Sequence, residues 1–143
     1  MKKIKNLKAI ESISGIVAIL QFGSYGTDDW IEGRSDIDFL VLMAPRFEYE
    51  ETLDIEDDLE TLLMDYYDYD DIHISFVLYK DYGSKYARIL TDSDQTFIID
   101  DKNWFDFQHY VFKYARINNN FEQRLIEDEK YTYFGRDVDD ALL

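Results

Sequence analysis

The chain has 143 residues, 46% hydrophobic and 17% aromatic, which is enough apolar material for one well-filled core and points to a single domain over residues 1–143. Thirty-one acidic side chains against fifteen basic ones give a formal net charge of −16, which argues against general attraction to a nucleic-acid backbone or an anionic membrane. With no cysteine there is no disulfide framework, thiol nucleophile or thiolate metal site, and zinc is not expected.

Twelve Tyr, ten Phe and two Trp argue against the disorder that acidity alone would allow. The N-terminus MKKIKNLKAIESIS is basic but its apolar residues are dispersed, unlike a signal peptide. No segment approaches the roughly 18 consecutive apolar residues of a membrane span, so the expected location is the cytoplasm.

Ile4, Leu7, Ile10 and Ile13 recur at about helical spacing and predict an amphipathic helix over 2–13, ending near Ser14-Gly15. Ile16 to Phe22 is a short apolar run with branched residues, stopped by Gly23, and reads as a strand. Ser24 to Ser35 contains Gly26 and Gly33 and reads as a loop with room for one helical turn. Asp36 to Met43 places two acidic residues before five continuous apolar ones, the pattern of a central strand, and Pro45 marks its end. From Glu48 to about Tyr67, Ile55, Leu59, Leu62, Leu63 and Tyr66 share one face of a solvated helix.

Ile72 to Tyr79 is a third strand, Ser84 to Leu90 a short helix, and Thr96 to Ile99 a short edge strand. From about Asn103 to Asp128, a stripe of Trp104, Phe107, Val111, Tyr114, Phe121 and Leu125 predicts one long helix, or one broken at Asn118-Asn119-Asn120. The order of elements indicates a small α/β (α+β) domain.

The chemistry concentrates in Phe22-Gly23-Ser24-Tyr25-Gly26, followed after nine intervening residues by Asp36-Ile37-Asp38. Strand side chains alternate faces, so Asp36 and Asp38 point the same way and their carboxylates converge. Two hard oxygen ligands suit Mg²⁺, which completes its octahedron with water and substrate phosphates. Such a pair can also hold two ions, one at the attacking hydroxyl and one on the nucleotide phosphates. The Gly-Ser turn supplies the complement: glycine permits close backbone approach, and free N–H groups with a Ser hydroxyl can hold a terminal phosphate. Taken singly, an Asp-x-Asp is commonly a solvated strand end and a Gly-Ser merely a turn; joined in this order they are far more specific.

The stretch FGSYGTDDWIEGRSDIDFLVL resembles the nucleotidyltransferase fold of the DNA polymerase β superfamily. In particular it resembles the minimal nucleotidyltransferases, such as the antitoxin of the HEPN and minimal nucleotidyltransferase pair. The resemblance implies a mixed sheet flanked by helices, Gly23 and Ser24 as the nucleotide-phosphate turn, and Asp36 and Asp38 as Mg²⁺ ligands and catalytic residues. It also implies a third carboxylate on a later strand. That pattern falls on Ile72-His73-Ile74-Ser75, which puts His73 at the third position. Asp71 shares the same strand face two residues earlier and could serve after a one-step slip.

Each remaining candidate has an ordinary alternative. A histidine in an apolar strand is commonly a hydrogen-bonded structural residue, and His109, within the aromatic helix, is read that way. Lys80 and Lys85 follow the third strand, where a cation could meet a triphosphate, but surface lysines are usual on an acidic protein. Arg34 could neutralise the carboxylate pair or contact phosphate. The tyrosines at 66, 67, 69, 131 and 133 read as core and packing surface, although exposed tyrosine clusters also suit protein interfaces.

Three functions are compatible with these residues. The first is a Mg²⁺-dependent transferase that moves a nucleoside monophosphate, AMP from ATP by preference, to a hydroxyl that by resemblance belongs to a partner protein of HEPN type. The second is a non-catalytic binding module of the same fold, whose acidic surface neutralises a basic partner. The third resembles the aminoglycoside nucleotidyltransferases, whose further substrate-binding domain has little room in 143 residues.

Overall fold

The computed structural model describes residues 1–134, with side chains of the last helix described through Asn118. Strand β1 (Ile16–Phe22) lies antiparallel to β2 (Ile37–Met43), and β2 runs parallel to β3 (Ile72–Val77). A two-residue β4 (Phe97–Ile98) pairs with the other side of β1, giving the order β3-β2-β1-β4. Helix α1 (Tyr49–Tyr67) is the crossover that a parallel β2–β3 pair requires. Helix α2 is Lys85–Asp92 and α3 is Asp101–Phe134. The result is a four-stranded mixed sheet with flanking helices, the α+β architecture expected from the pattern of elements. One compact unit, Met1–Val111, carries the sheet; a second begins at Phe112, where the described backbone is that of α3.

Strand alternation sorts the core into two layers. Ile37, Phe39, Val41 and Met43 pack with Leu59, Leu63 and Tyr67 of α1, while Leu40 and Leu42 pack with Ala87, Leu90, Trp104 and Phe107 of α2 and α3. A register irregularity between Ile16 and Ala18 lets Val17 and Ala18 both join the second layer. By the same alternation Asp38, two residues before Leu40, emerges on the α2–α3 side at the edge of the covered sheet. The core arrangement therefore sets the direction in which the acidic pair points.

The N-terminal expectation needs correction. Residues 2–13 do not form an amphipathic α-helix but two 3₁₀ turns, Ile4–Asn6 and Lys8–Ser12. The apolar spacing explains this. A strict interval of three aligns residues in a helix of three residues per turn, whereas in an α-helix the same interval drifts around the axis. Ile4, Leu7 and Ile10 are all buried against the α1 layer.

Other boundaries shift by small amounts. Residues 24–35 contain turns and bends with no helix element, and their one helical-type turn is closed by the Ser35 N–H donating to the Ile31 carbonyl at 2.8 Å. Strand β3 stops at Val77 because Tyr79–Asp81 form a 3₁₀ turn. Helix α2 runs two residues past Leu90, and its Ser84 Oγ caps it by accepting from the Ala87 N–H at 3.2 Å. Helix α3 continues through Asn118–Asn120 as one element. Trp104, Phe107 and Val111 of its stripe are buried, whereas Tyr114 is exposed. Phe121, Leu125, Tyr131 and Tyr133 lie outside the described side chains.

Two substitutions test the packing. Phe107 is fully buried between sheet and helix, so Phe107→Ala should cost about 3–5 kcal/mol in urea unfolding. Tyr67 is buried among the rings of Tyr25, Phe39 and Tyr66, and its hydroxyl has no hydrogen-bond partner among the described residues. Tyr67→Phe should therefore leave stability unchanged or raise it by about 1 kcal/mol, and a loss would show that the hydroxyl is satisfied in solution.

Candidate active site

The site forms where β1 ends and β2 begins. Phe22 stands opposite Asp38 in the antiparallel ladder, so the next residue, Gly23, passes directly beside the Asp38 side chain. Gly23 has φ +82°, and a Cβ there would lie 2.7 Å from Asp38 Oδ2. Both facts demand glycine: the left-handed backbone disfavours a side chain, and the carboxylate occupies the space one would need. Ser24 follows, half-buried, and its carbonyl accepts from the Thr27 N–H at 2.9 Å and the Thr27 hydroxyl at 2.6 Å.

Strand β3 brings the third group. Its parallel register pairs Asp38 with His73, and His73 Nδ1 lies 3.6 Å from Asp38 Oδ1. Asp36, Asp38 and His73 each offer a ligand atom, all within 4.8 Å of one another. Ligands on opposite sides of an octahedral Mg²⁺ ion stand about 4.2 Å apart, so small side-chain rotations would bring this set onto a divalent cation. Two carboxylates and an imidazole are chemically suited to such an ion. Asp71 does not belong to this cluster; it precedes β3, and its carbonyl accepts from the Ile37 N–H at 2.9 Å.

Burial and the neighbouring Asp36 charge push the Asp38 carboxyl above the ordinary carboxylate value, with Asp71 adding to the effect and His73 opposing it. Negative charge is thus concentrated where one side chain is already partly desolvated. A bound cation would relieve that repulsion.

An aromatic brace holds the loop between the two motif halves. Trp30 Nε1–H donates to the Asp36 carbonyl at 3.1 Å, and the Tyr69 hydroxyl donates to the Ser35 carbonyl. The Gly33 N–H in turn donates to the Tyr69 hydroxyl at 3.0 Å. Trp30 packs against both Tyr25 and Tyr69, with ring centroids 5.1 and 5.2 Å away. The backbone at Ser35 and Asp36 is therefore fixed from its loop side, while the Asp71 carbonyl fixes Ile37 from the sheet side. Sequence reasoning placed Tyr69 in the packing surface and did not single out Trp30. The available signal was the density of aromatic residues around a polar loop.

The other candidates separate. Lys80 follows the far, C-terminal end of β3 and pairs with Glu48 at 3.2 Å beside the start of α1. It is not brought to the carboxylates, because β2 and β3 are parallel and the acidic cluster sits at their N-terminal ends. The first turn of α2 does approach this end: Tyr86 meets Phe22 edge-on at 6.3 Å, and Lys85 precedes it. Arg34 is exposed in the turn before Ser35. His109 is exposed on α3, its ring 6.5 Å from Tyr110, and takes no part in the cluster. Phe22 was part of the motif read from sequence, but its contact with Tyr86 was not, since only the fold puts α2 against the end of β1.

Among the described residues no helix is long and apolar enough to cross a membrane. No curated protein gives a significant match to the chain. The family model for the nucleotidyltransferase domain matches residues 3–92, a span that contains the Gly-Ser turn, the acidic pair, the α1 crossover and His73. The chain therefore belongs to the nucleotidyltransferase domain family.

Proposed function

We propose that the protein transfers a nucleoside monophosphate, AMP from ATP by preference, to a hydroxyl acceptor, using Asp36 and Asp38 to hold Mg²⁺ and Gly23 and Ser24 to hold the nucleotide phosphates. The observation that supports this reading is the close approach of Gly23 to Asp38, which sets the Gly-Ser turn directly beside the carboxylate pair. When bound, the metal would neutralise phosphate charge and activate the acceptor hydroxyl. The chain's own part is positioning. Gly23 leaves room for backbone to approach the phosphates, and the Trp30 and Tyr69 brace keeps Asp36 in line with Asp38.

In the transfer the acceptor oxygen bonds to the α-phosphorus as the α–β bridging bond breaks. Pyrophosphate leaves with the electron pair, and the hydroxyl proton passes to solvent or to an imidazole beside the acceptor. Lys80 is left out of this scheme by its position. The whole chain is read as one catalytic domain in the cytoplasm, with an acceptor on a partner protein of HEPN type.

A second reading has one observation in its favour: His73 stands where the resemblance implies a third carboxylate, pairing with Asp38. A module that binds nucleotide and partner but transfers slowly would result. Labelled-AMP transfer to candidate acceptors separates the two. Wild-type transfer lost in both His73→Asp and His73→Ala makes His73 a working part of an active site. No transfer in any of the three, with ATP binding retained, supports the binding module.

Calorimetric titration with Mg-ATP tests the site itself. The double variant Asp36→Asn with Asp38→Asn should lose binding by at least about tenfold while keeping the wild-type circular dichroism, and equal affinity would remove the assignment. Gly23→Ala should lower ATP affinity too, because the added methyl must displace the Asp38 carboxylate.

The raised pKa of Asp38 predicts a pH effect on stability. Its carboxyl ionises less readily in the folded chain than in the unfolded one, so ionisation costs stability above the ordinary value of 3.8, and the cost vanishes once both states are protonated. Without metal, Asp38→Asn should therefore raise the melting temperature at pH 7, with the gain shrinking as pH falls towards 4. A gain independent of pH would assign it to packing instead of charge.

A further inference from the structure

We infer that His73 makes the Asp36–Asp38–His73 cluster a mixed oxygen–nitrogen site that favours Mn²⁺ over Mg²⁺. The inference rests on the metal-site reading of the proposed function and deepens it by naming the ion. The structure supplies three observations. The three ligand atoms lie within 4.8 Å of one another. Register fixes His73 opposite Asp38, so the imidazole is built into the sheet and does not arrive on a mobile loop. Its Nδ1, 3.6 Å from Asp38 Oδ1, is the ring atom that already faces the carboxylate.

The chemistry of the donors does the rest. Mg²⁺ is hard, takes oxygen, and gains little from an imidazole nitrogen. Manganese keeps the octahedral, oxygen-rich coordination that two carboxylates, waters and substrate phosphates provide, yet accepts nitrogen more readily. A site of three carboxylates would add negative charge and serve Mg²⁺; replacing one by a neutral imidazole removes a charge and adds a softer donor. The more exposed His73 side chain, 69% accessible against 24% for Asp38, can turn towards an ion without disturbing the core. An imidazole engaged with a metal cannot also take the acceptor's proton, so in this arrangement that proton goes to solvent.

The test uses the full chain, stripped of metal by chelation, with Mn²⁺ and Mg²⁺ themselves as probes. Free Mn²⁺ is followed by electron paramagnetic resonance, and Mg²⁺ is titrated in as a competitor. The wild type should bind Mn²⁺ at least about tenfold more tightly than Mg²⁺. His73→Ala should weaken Mn²⁺ by about tenfold while leaving Mg²⁺ nearly unchanged, and His73→Asp should shift the preference towards Mg²⁺. In nuclear magnetic resonance spectra, Mn²⁺ should broaden the His73 imidazole signals well before those of His109. Equal affinities in the wild type, or a ratio unmoved in His73→Ala, overturns the inference while leaving the carboxylate site intact. Binding of neither ion to the wild type overturns the inference and the metal-site reading together, and the chelated protein's unchanged circular dichroism would show that misfolding is not the cause.

Discussion

A methyl group on Gly23 would stand 2.7 Å from Asp38 Oδ2, and the rest of the site depends on that close approach. It follows from one ladder pair, Phe22 opposite Asp38, which sets the end of β1 against the start of β2. Sliding the register by one residue would turn Asp38 into the α1 layer and bring Ile37 to the surface. The hydrophobic layers forbid this, because Ile37, Phe39 and Val41 are all buried on the α1 side. The core thus fixes the register, the register fixes Asp38, and Asp38 occupies the space that only a glycine leaves.

The same arrangement carries an electrostatic cost. In a chain of net charge −16, two carboxylates face the same side of a strand end, and burial makes Asp38 reluctant to ionise. A bound cation would relieve that repulsion, of which the pairing with His73 offsets only part. The backbone must resist the repulsion, which gives the aromatic brace a physical purpose: Trp30 and Tyr69 grip the carbonyls of Asp36 and Ser35 from the loop side. Function and folding meet in those hydrogen bonds, since the aromatic rings that fill the loop also prevent the carboxylates from separating.

Much of this was legible in the residues. Branched apolar runs marked β1 with its observed bounds and β2 to within a residue, because buried strands need continuous apolar sequence. The acidic pair and the glycine turn were readable as a unit because strand alternation makes Asp36 and Asp38 converge. The N-terminal segment departs from its α-helical expectation because its strict interval of three belongs to 3₁₀ turns. Lys80 is a cation close in sequence to His73, but the rest of β3 and the 3₁₀ turn after it carry Lys80 to the opposite end of the sheet. The Phe22–Tyr86 contact and the Trp30 brace were invisible for a different reason. Their roles arise from contacts between elements far apart in sequence, which no local pattern records.

The central claim is that the turn at Gly23 and the carboxylates of Asp36 and Asp38 hold one metal–nucleotide unit. Its most direct test is anomalous diffraction from crystals grown with Mn²⁺ and a non-hydrolysable ATP analogue. The account predicts an anomalous peak within coordination distance of both carboxylates, with the triphosphate lying over Gly23 and Ser24. An ordered nucleotide bound away from that turn, with no ion at either carboxylate, would contradict it.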